Sequence, residues 1–157
     1  MMADPSVAYW LGGELTPAQA DAAFDRTRVA VDADGFGMWA AERTSDGTLL
    51  GSIGIRRVIP GHPLAGEMEL GWRLMRGAWG FGYATEGAAA ALAWGLHRFD
   101  AEIMVAFTAK TNVRSEAVMR RIGMERAPRR DFDHPALPGG HALRRHIVHE
   151  KRPARAV

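Results

Sequence analysis

The stretch that decides the fold runs from residue 69 to residue 86 and reads ELGWRLMRGAWGFGYATE. Residues 67–72 alternate between apolar and polar or small side chains, which is the period of a half-buried strand. Glycines then stand at positions 77, 80 and 82, and an alanine-rich run follows. Because alanine is the best helix former, that run predicts a helix from about Tyr83 to Phe99, with Thr85 and Glu86 in its first turn. The stretch is therefore strand, glycine-rich connection and helix.

The glycine-rich connection has two interpretations. Converging backbone N–H groups and the positive end of the following helix dipole would hold a pyrophosphate without a lysine. Alternatively, the glycines only permit a tight turn with positive φ. A P-loop is excluded because no lysine lies in the loop. A dinucleotide fingerprint would need a small residue in place of Thr85 and a parallel strand–helix–strand unit.

Outward from this stretch, the pattern predicts a mixed α/β (α+β) fold with a largely antiparallel central sheet flanked by helices. Thr16-Pro17 predicts a helix start, with Ala20, Ala23, Phe24 and Val31 on its apolar face and an end near Gly35. The remaining expected elements are strands at 36–43 and 49–58 joined by Ser45-Asp46-Gly47, a strand at 101–108, a helix from Asn112 to Arg121 stopped by Gly123, and strands at 124–127 and 143–149.

Composition bounds the function. The chain has 157 residues, 47% of them apolar and 24% charged, which is enough for one globular domain over residues 1–157. The absence of cysteine excludes disulfides, thiolate metal sites and a cysteine nucleophile. A net charge of +2 gives no reason to expect nucleic-acid binding. Without a signal peptide or an apolar run of ~20 residues, we expect a soluble, cytoplasmic protein that does not contact membranes.

Three blocks in order, at residues 69–74, 79–86 and 112–124, resemble the GCN5-related N-acetyltransferase (GNAT) superfamily, and specifically its RimJ/RimL-like branch of ribosomal-protein acetyltransferases. The tail formed by residues 131–135 and 143–146 is typical of one subgroup of that branch. The resemblance implies acetyl-CoA as co-substrate and acetylation of an amine. Members of the branch usually open with a strand and a helix before the place of Asp4-Pro5, and this chain is expected to begin after them.

The resemblance also implies how acetyl-CoA is held. Backbone amides of residues 77–84 would bind the pyrophosphate, residues 70–74 would pair with the pantetheine arm, and Asn112 and Ser115 would face the pantetheine and thioester. Arg76 would reach a phosphate. The candidate cofactor-binding residues are Leu70, Trp72, Arg73, Leu74, Arg76, Gly77, Ala78, Trp79, Gly80, Phe81, Gly82, Tyr83, Ala84, Thr85, Asn112 and Ser115.

Acetyl transfer requires removal of an amine proton, stabilisation of an oxyanion and departure of a thiolate. The resemblance makes Glu69 the general base, with Glu67 on the same strand face; the alternative is that both glutamates lie on a solvated face. A backbone N–H near Leu70 is the expected oxyanion donor. Many members place a tyrosine acid where this chain has Met119, so the thiolate would be protonated by Ser115, by water or by no residue at all.

We expect the acetyl group to pass directly to a primary amine in a ternary complex, because no cysteine or serine–histidine–acid pattern offers an acyl-enzyme. The amine is a protein N-terminus or a small molecule, and Phe132 and His134 are candidates to line its site, His134 alternatively as a loop lock. The competing hypothesis is a non-catalytic acyl-CoA-binding or regulatory module. A homodimer joined through an edge strand is also expected.

Other residues are interpreted more plainly. Trp39, Trp72 and Trp94 are expected in the core. The histidines near the C-terminus, at positions 134, 141, 146 and 149, lack metal-ligand spacing, so no metal is expected.

Overall fold

The structure is a computed structural model that describes residues 1–99 and 103–153. Its helices and strands are, in chain order, α1 (Pro5–Ala8), α2 (Pro17–Asp34), β1 (Met38–Arg43), β2 (Thr48–Arg57), β3 (Met68–Leu74), α3 (Tyr83–Arg98), β4 (Met104–Ala109), α4 (Val113–Arg121), β5 (Glu125–Arg126), β6 (Phe132–Asp133) and β7 (Arg145–Lys151). Short 3₁₀ turns lie at Tyr9–Leu11, Arg76–Ala78 and Pro128–Arg130.

One seven-stranded sheet organises the chain. Its order is β1-β2-β3-β4-β7-β5, with β6 paired to β7. The β3–β4 pair is parallel and the other pairs are antiparallel. The mixed α/β fold with a largely antiparallel sheet is therefore confirmed, including the hairpin in which Arg43 pairs with Thr48 across Gly47 at a φ of 70°.

The predicted element boundaries are partly wrong. The first strand begins at Met38, because Phe36 is buried against Phe99 before strand pairing starts. The last strand is β7, shifted towards the C-terminus, and Leu143 is instead a buried loop residue. A buried apolar residue in a loop has the same pattern as one in a strand, so periodicity alone misplaces such ends. The predicted strand at 101–108 is observed from Met104, and residue 101 lies outside the described residues.

Helices α3 and α4 cover one face of the sheet and form the larger core with it. Two glycines let α3 approach closely. A Cβ on Gly87 would stand 2.5 Å from Ile53 Cδ1, and one on Gly95 would stand 2.3 Å from Ile55 Cδ1. The opposite face carries a smaller cluster of buried residues, namely Val58, Leu64, Val105, Phe132 and Val148.

Helix α2 has the predicted bounds. Thr16 and Gln19 form a capping box at its start, and Gly35 ends it at a φ of 72°. The predicted apolar face is wrong, because α2 contains no fully buried residue and Phe24 is 68% exposed. No strand precedes α2 within residues 1–99, and no helix of the described residues is long and apolar enough to cross a membrane.

The tryptophan predictions hold for two of three residues. Trp39 and Trp72 pack against the larger core. The prediction for Trp94 is wrong, because 40% of this residue is exposed. Its ring meets Trp39 edge-on at 5.2 Å and Phe99 at 5.3 Å, so it closes the rim of the core instead.

Candidate active site

Strand β3 leaves its parallel neighbour almost at once. Met68 pairs with Met104 and Glu69 with Val105, and the β3–β4 ladder stops there. The antiparallel ladder with β2 continues to Leu74. The two central strands therefore part after two residue pairs, and within residues 1–99 and 103–153 the carboxyl-terminal half of β3 has a neighbouring strand on one side only.

The β2–β3 register shows which backbone groups of β3 face the gap that opens between β3 and β4 after Glu69. Ile55 donates its N–H to the carbonyl of Gly37 at 3.2 Å, so it points towards β1, and its partner Leu70 does not bond to β2. Bonding direction alternates along a strand, so Leu70, Trp72 and Leu74 turn their backbone groups away from β2.

The same alternation directs the odd-numbered residues of β3 to β2. Met75 confirms that odd-numbered residues point to β2, because it donates its N–H to the carbonyl of Leu50 in β2 at 2.8 Å. The backbone of Arg73 accordingly pairs with Ser52. Of residues 70–74, which are predicted to pair with pantetheine, Gly71 and Arg73 have backbone groups that are occupied by β2.

The glycine-rich loop follows directly. Gly80 and Gly82 have φ values of 85° and 89°, a region that disfavours side chains. Gly77 does not have a positive φ, and a Cβ there would meet open space, so the expected backbone need for glycine holds at two positions of three. The Trp79 indole N–H donates to the Leu74 carbonyl at 2.9 Å and fastens the loop to the end of β3.

The loop ends in an uncapped helix N-terminus. Gly82 is the N-cap of the 16-residue helix α3 and makes no side-chain cap bond. The first amide bonded back into the helix is that of Glu86, which donates to the Gly82 carbonyl at 3.0 Å. In the described parts of the chain, the amides of residues 80–85 have no acceptor. Unpaired amides and the helix dipole together form an anion site.

Helix α4 begins beside this loop. Asn112 caps it, its Oδ1 accepting the Ser115 N–H at 3.3 Å. The Arg114 guanidinium lies over the Trp79 ring at 5.0 Å, which joins α4 to the loop. The Ser115 side chain is partly buried, whereas Met119 is 1% exposed within the core.

Glu69 is fixed by a neighbouring cation. Arg56 Nε and an Arg56 terminal nitrogen donate to its two oxygens at 2.7 and 3.0 Å. The Glu69 side chain is 10% exposed and that of Arg56 45%. Burial opposes the charge on Arg56, but the attraction and hydrogen bonds of Glu69 outweigh it and raise the pKa of Arg56. The expectation of a half-buried strand is wrong here, because Met68, Glu69 and Leu70 are all buried.

Glu67 is held elsewhere, just before β3. It accepts a hydrogen bond from Arg130, which also donates to Glu150 at 2.8 Å. Its other oxygen, Oε2, is buried and has no hydrogen-bond partner in the described residues. The contact ties the start of β3 to the 3₁₀ turn at Pro128–Arg130 and to β7.

A cluster of histidine and phenylalanine rings stands on the Glu69 side of the sheet. His62 stacks on Phe107 at 4.8 Å and meets Phe132 edge-on at 4.7 Å. His134 lies 6.0 Å from His62 and 4.9 Å from His146. Burial lowers the pKa of all three histidines, and the charge of Glu69 partly offsets this for His62 and His134.

Hydrogen bonds assign the tautomers of these rings. Nδ1 of His62 accepts the Leu64 N–H at 3.1 Å, and Nδ1 of His134 accepts the Ala136 N–H at 3.3 Å. Both rings, when neutral, therefore carry their proton on Nε2. His146 is reversed, because its Nδ1 lies 3.2 Å from the Arg144 carbonyl and must donate to it.

The strand alternation separates the C-terminal histidines. His146 faces the ring cluster, whereas His149 lies on the α4 side, 1% exposed and with Nε2 4.0 Å from a Glu116 oxygen. No group of three or more candidate metal ligands occurs in residues 1–99 and 103–153.

The structure thus brings Glu69, Phe132 and His134 to one side of the sheet and places the loop and α4 at the end of β3. Sequence reasoning missed Arg56, His62 and Phe107. Arg56 and Phe107 follow from strand register with Glu69 and Val148, but no local pattern marks His62 in its loop.

Comparison with known proteins identifies this architecture. The model of the acetyltransferase (GNAT) domain family matches residues 1–125. The chain belongs to the GNAT acetyltransferase family. Among solved structures, this GNAT protein is similar to an acetyltransferase from Agrobacterium tumefaciens at 27% identity and a TM-score of 0.74, covering 96% of this chain and 80% of that one.

Two further structures share the fold. A ribosomal-protein-alanine N-acetyltransferase from Brucella melitensis is 21% identical with a TM-score of 0.62, covering 78% of this chain and 72% of that one. A spermidine N-acetyltransferase from Vibrio cholerae, solved with CoA and spermine, is 10% identical with a TM-score of 0.71, covering 96% and 85%. At these identities the likeness concerns the fold alone.

Proposed function

We propose that this GNAT protein transfers the acetyl group of acetyl-CoA directly to a primary amine in a ternary complex, within one domain formed by residues 1–157. One observation carries the proposal. The unpaired amides at the start of α3 lie at the end of the same strand, β3, that parts from β4 after Glu69. An anion site and an open strand edge in series match a pyrophosphate followed by an extended polar arm.

This geometry supports the proposed cofactor residues. The amides of residues 80–85 bind the pyrophosphate. Leu70 and Trp72 offer their backbone groups to the pantetheine amides, and Leu74 offers its N–H, because its carbonyl accepts from the Trp79 indole. Asn112 and Ser115, at the start of α4, face the arm near the thioester. Arg76, exposed in the loop, reaches a phosphate.

Glu69 is the proposed general base. Its oxygens each hold one Arg56 donor and keep further lone-pair capacity, so the carboxylate accepts the amine proton directly or through a water. Neutral His62 and His134 use their Nδ1 atoms for backbone amides, which leaves neither ring a free acceptor nitrogen. The thiolate takes a proton from Ser115 or water, or leaves unprotonated, since a thiol pKa of about 8.5 permits departure without full protonation near neutral pH.

We propose a RimJ/RimL-type acceptor range, in which the amine is a protein N-terminus or a small molecule bound against Phe132 and His134. The ribosomal-protein-alanine enzyme among the similar folds supports this branch, although the spermidine enzyme has the same fold. We also propose that the protein acts in the cytoplasm as a homodimer through β1, which is an edge strand of the sheet.

The decisive experiment is calorimetric titration with acetyl-CoA and desulfo-CoA, followed by a free-thiol assay in the presence of amines. An enzyme binds both ligands at micromolar concentration and releases CoA only when an amine is present. Glu69→Gln should lower kcat by at least about 10²-fold and leave acetyl-CoA affinity unchanged. Absence of acetyl-CoA binding would refute the proposal.

A second candidate, a non-catalytic acyl-CoA-binding module, is favoured by Met119. This buried methionine stands where the family resemblance expects a proton-donating tyrosine. Tight acetyl-CoA binding without amine-dependent thiol release would select this candidate.

A further inference from the structure

One guanidinium on the Glu69 side of the sheet has no hydrogen-bonding or ionic partner among the described residues. Glu69, Gly71 and Arg73 are alternate residues of β3 and so share a face. Arg73 is partly buried, yet within the described residues no carboxylate lies within 4 Å of it and no acceptor takes its N–H groups. Burial, and then the charge of Arg56, lower the pKa of Arg73, and Glu69 offsets this only in part.

The charges around this guanidinium leave a positive excess. Arg56 and Arg73 face the carboxylate of Glu69, which already holds Arg56 in a bidentate pair, whereas Glu67, earlier on the same face, is paired with Arg130. Asp133, the acidic residue next to His134, is paired with Arg144 at 3.2 Å. Burial lowers the pKa of His62 and His134, which favours their neutral form. A neutral imidazole does not balance the positive charge of the two guanidinium groups.

Two histidine rings on this face add hydrogen-bond donors beside the guanidinium of Arg73. Nε2 of His62 is buried without a partner among the described residues, and its tautomer makes that nitrogen a donor. His134 presents a second Nε2–H by the same reasoning. A bound molecule that satisfies this face must therefore bring acceptor oxygens.

We propose that the acceptor amine carries a carboxylate, and that the Arg73 side chain binds it. This inference rests on the proposed acetyl transfer and deepens it by naming the acceptor class. A guanidinium fork matches a carboxylate in bidentate geometry, and a partly desolvated cation gains from an anion. A polyamine would add positive charge to a site that already has an excess of it.

The test compares an aspartyl peptide amide with the matching asparaginyl peptide amide, which differ in one carboxylate remote from the amine. Both are titrated calorimetrically into the protein saturated with CoA, and spermidine is titrated as a polycation. We expect the aspartyl peptide to bind about tenfold or more tightly than the asparaginyl peptide. Arg73→Gln should abolish that preference, Arg73→Lys should retain part of it, and Arg57→Gln, a change of an exposed arginine on β2, should leave it intact.

Equal affinity for the two peptides, or tighter binding of spermidine, would overturn the proposal. A loss of acetyl-CoA affinity in Arg73→Gln with unchanged peptide preference would also overturn it and assign this side chain to the cofactor. Thermal unfolding of each variant verifies that it is folded. If the protein fails to bind CoA, the proposed function fails, and titration of the free protein with the same peptides still decides the carboxylate preference.

Discussion

The loop at the start of α3 gives the sharpest test of the cofactor site. Gly82 has a φ of 89°, and a Cβ there would meet no other atom within 4 Å, so Gly82→Ala perturbs the backbone conformation alone. A left-handed conformation costs an L-residue about 1–2 kcal/mol. If the loop keeps its shape, this cost appears as lower stability. If the loop relaxes, its amides diverge, and the same energy corresponds to roughly a 5- to 30-fold weaker affinity for acetyl-CoA.

The matched control is Gly77→Ala, because Gly77 lies in the same loop without a positive φ and with open space at its Cβ. Thermal unfolding and acetyl-CoA titration are measured for both variants. We expect a change in stability, affinity or both for Gly82→Ala, and neither for Gly77→Ala. Equal effects of the two substitutions, or no effect of either, would refute the assignment of this loop geometry to phosphate binding.

Three further substitutions probe neighbouring parts of the molecule. Asn112→Ala removes the α4 cap and should cost about 1 kcal/mol in chemical denaturation, and Asn112→Asp should restore most of it. Gly95→Ala should destabilise the protein by about 1–3 kcal/mol, because the new Cβ meets Ile55 and Met104; unchanged stability would show that α3 can move off the sheet. Burial lowers the pKa of His149, although Glu116 opposes this. The unfolded chain then binds the proton more readily, so stability falls as the pH drops through about 6.5. His149→Met should reduce the steepness of that dependence in unfolding curves and leave the part that His62, His134 and His146 contribute.

Local signals were sufficient for most of the fold. Some predictions depend on only a few adjacent residues. The helix caps at Thr16-Pro17 and Asn112 and the hairpin turn at Asp46-Gly47 are of this kind, and each forms as predicted. The glycine loop was placed correctly between strand and helix for the same reason. What local signals could not show is the burial of both faces of β3 at Met68, Glu69 and Leu70, since that depends on segments far away in the chain.

The candidate site illustrates this limit. The sequence predicts Glu69 as a candidate base, but its partner Arg56 lies 13 residues earlier and follows from the register of β2 on β3. The ring of His62 reaches Phe107 and Phe132 from a loop whose path no periodicity describes. Trp94 shows the converse, because an apolar helical position was expected in the core and instead lies at its rim.

The placement of β3 explains why one strand serves both halves of the proposed reaction. Its even-numbered residues turn backbone groups towards the gap beside β4, and its odd-numbered residues turn the Glu69 and Arg73 side chains towards the histidine cluster. A cofactor bound through backbone groups and an acceptor bound through side chains therefore approach the same short segment from different directions. Substitution of Arg73 should consequently alter acceptor binding and leave the cofactor contacts of Trp72 intact, although the two residues are adjacent in the chain.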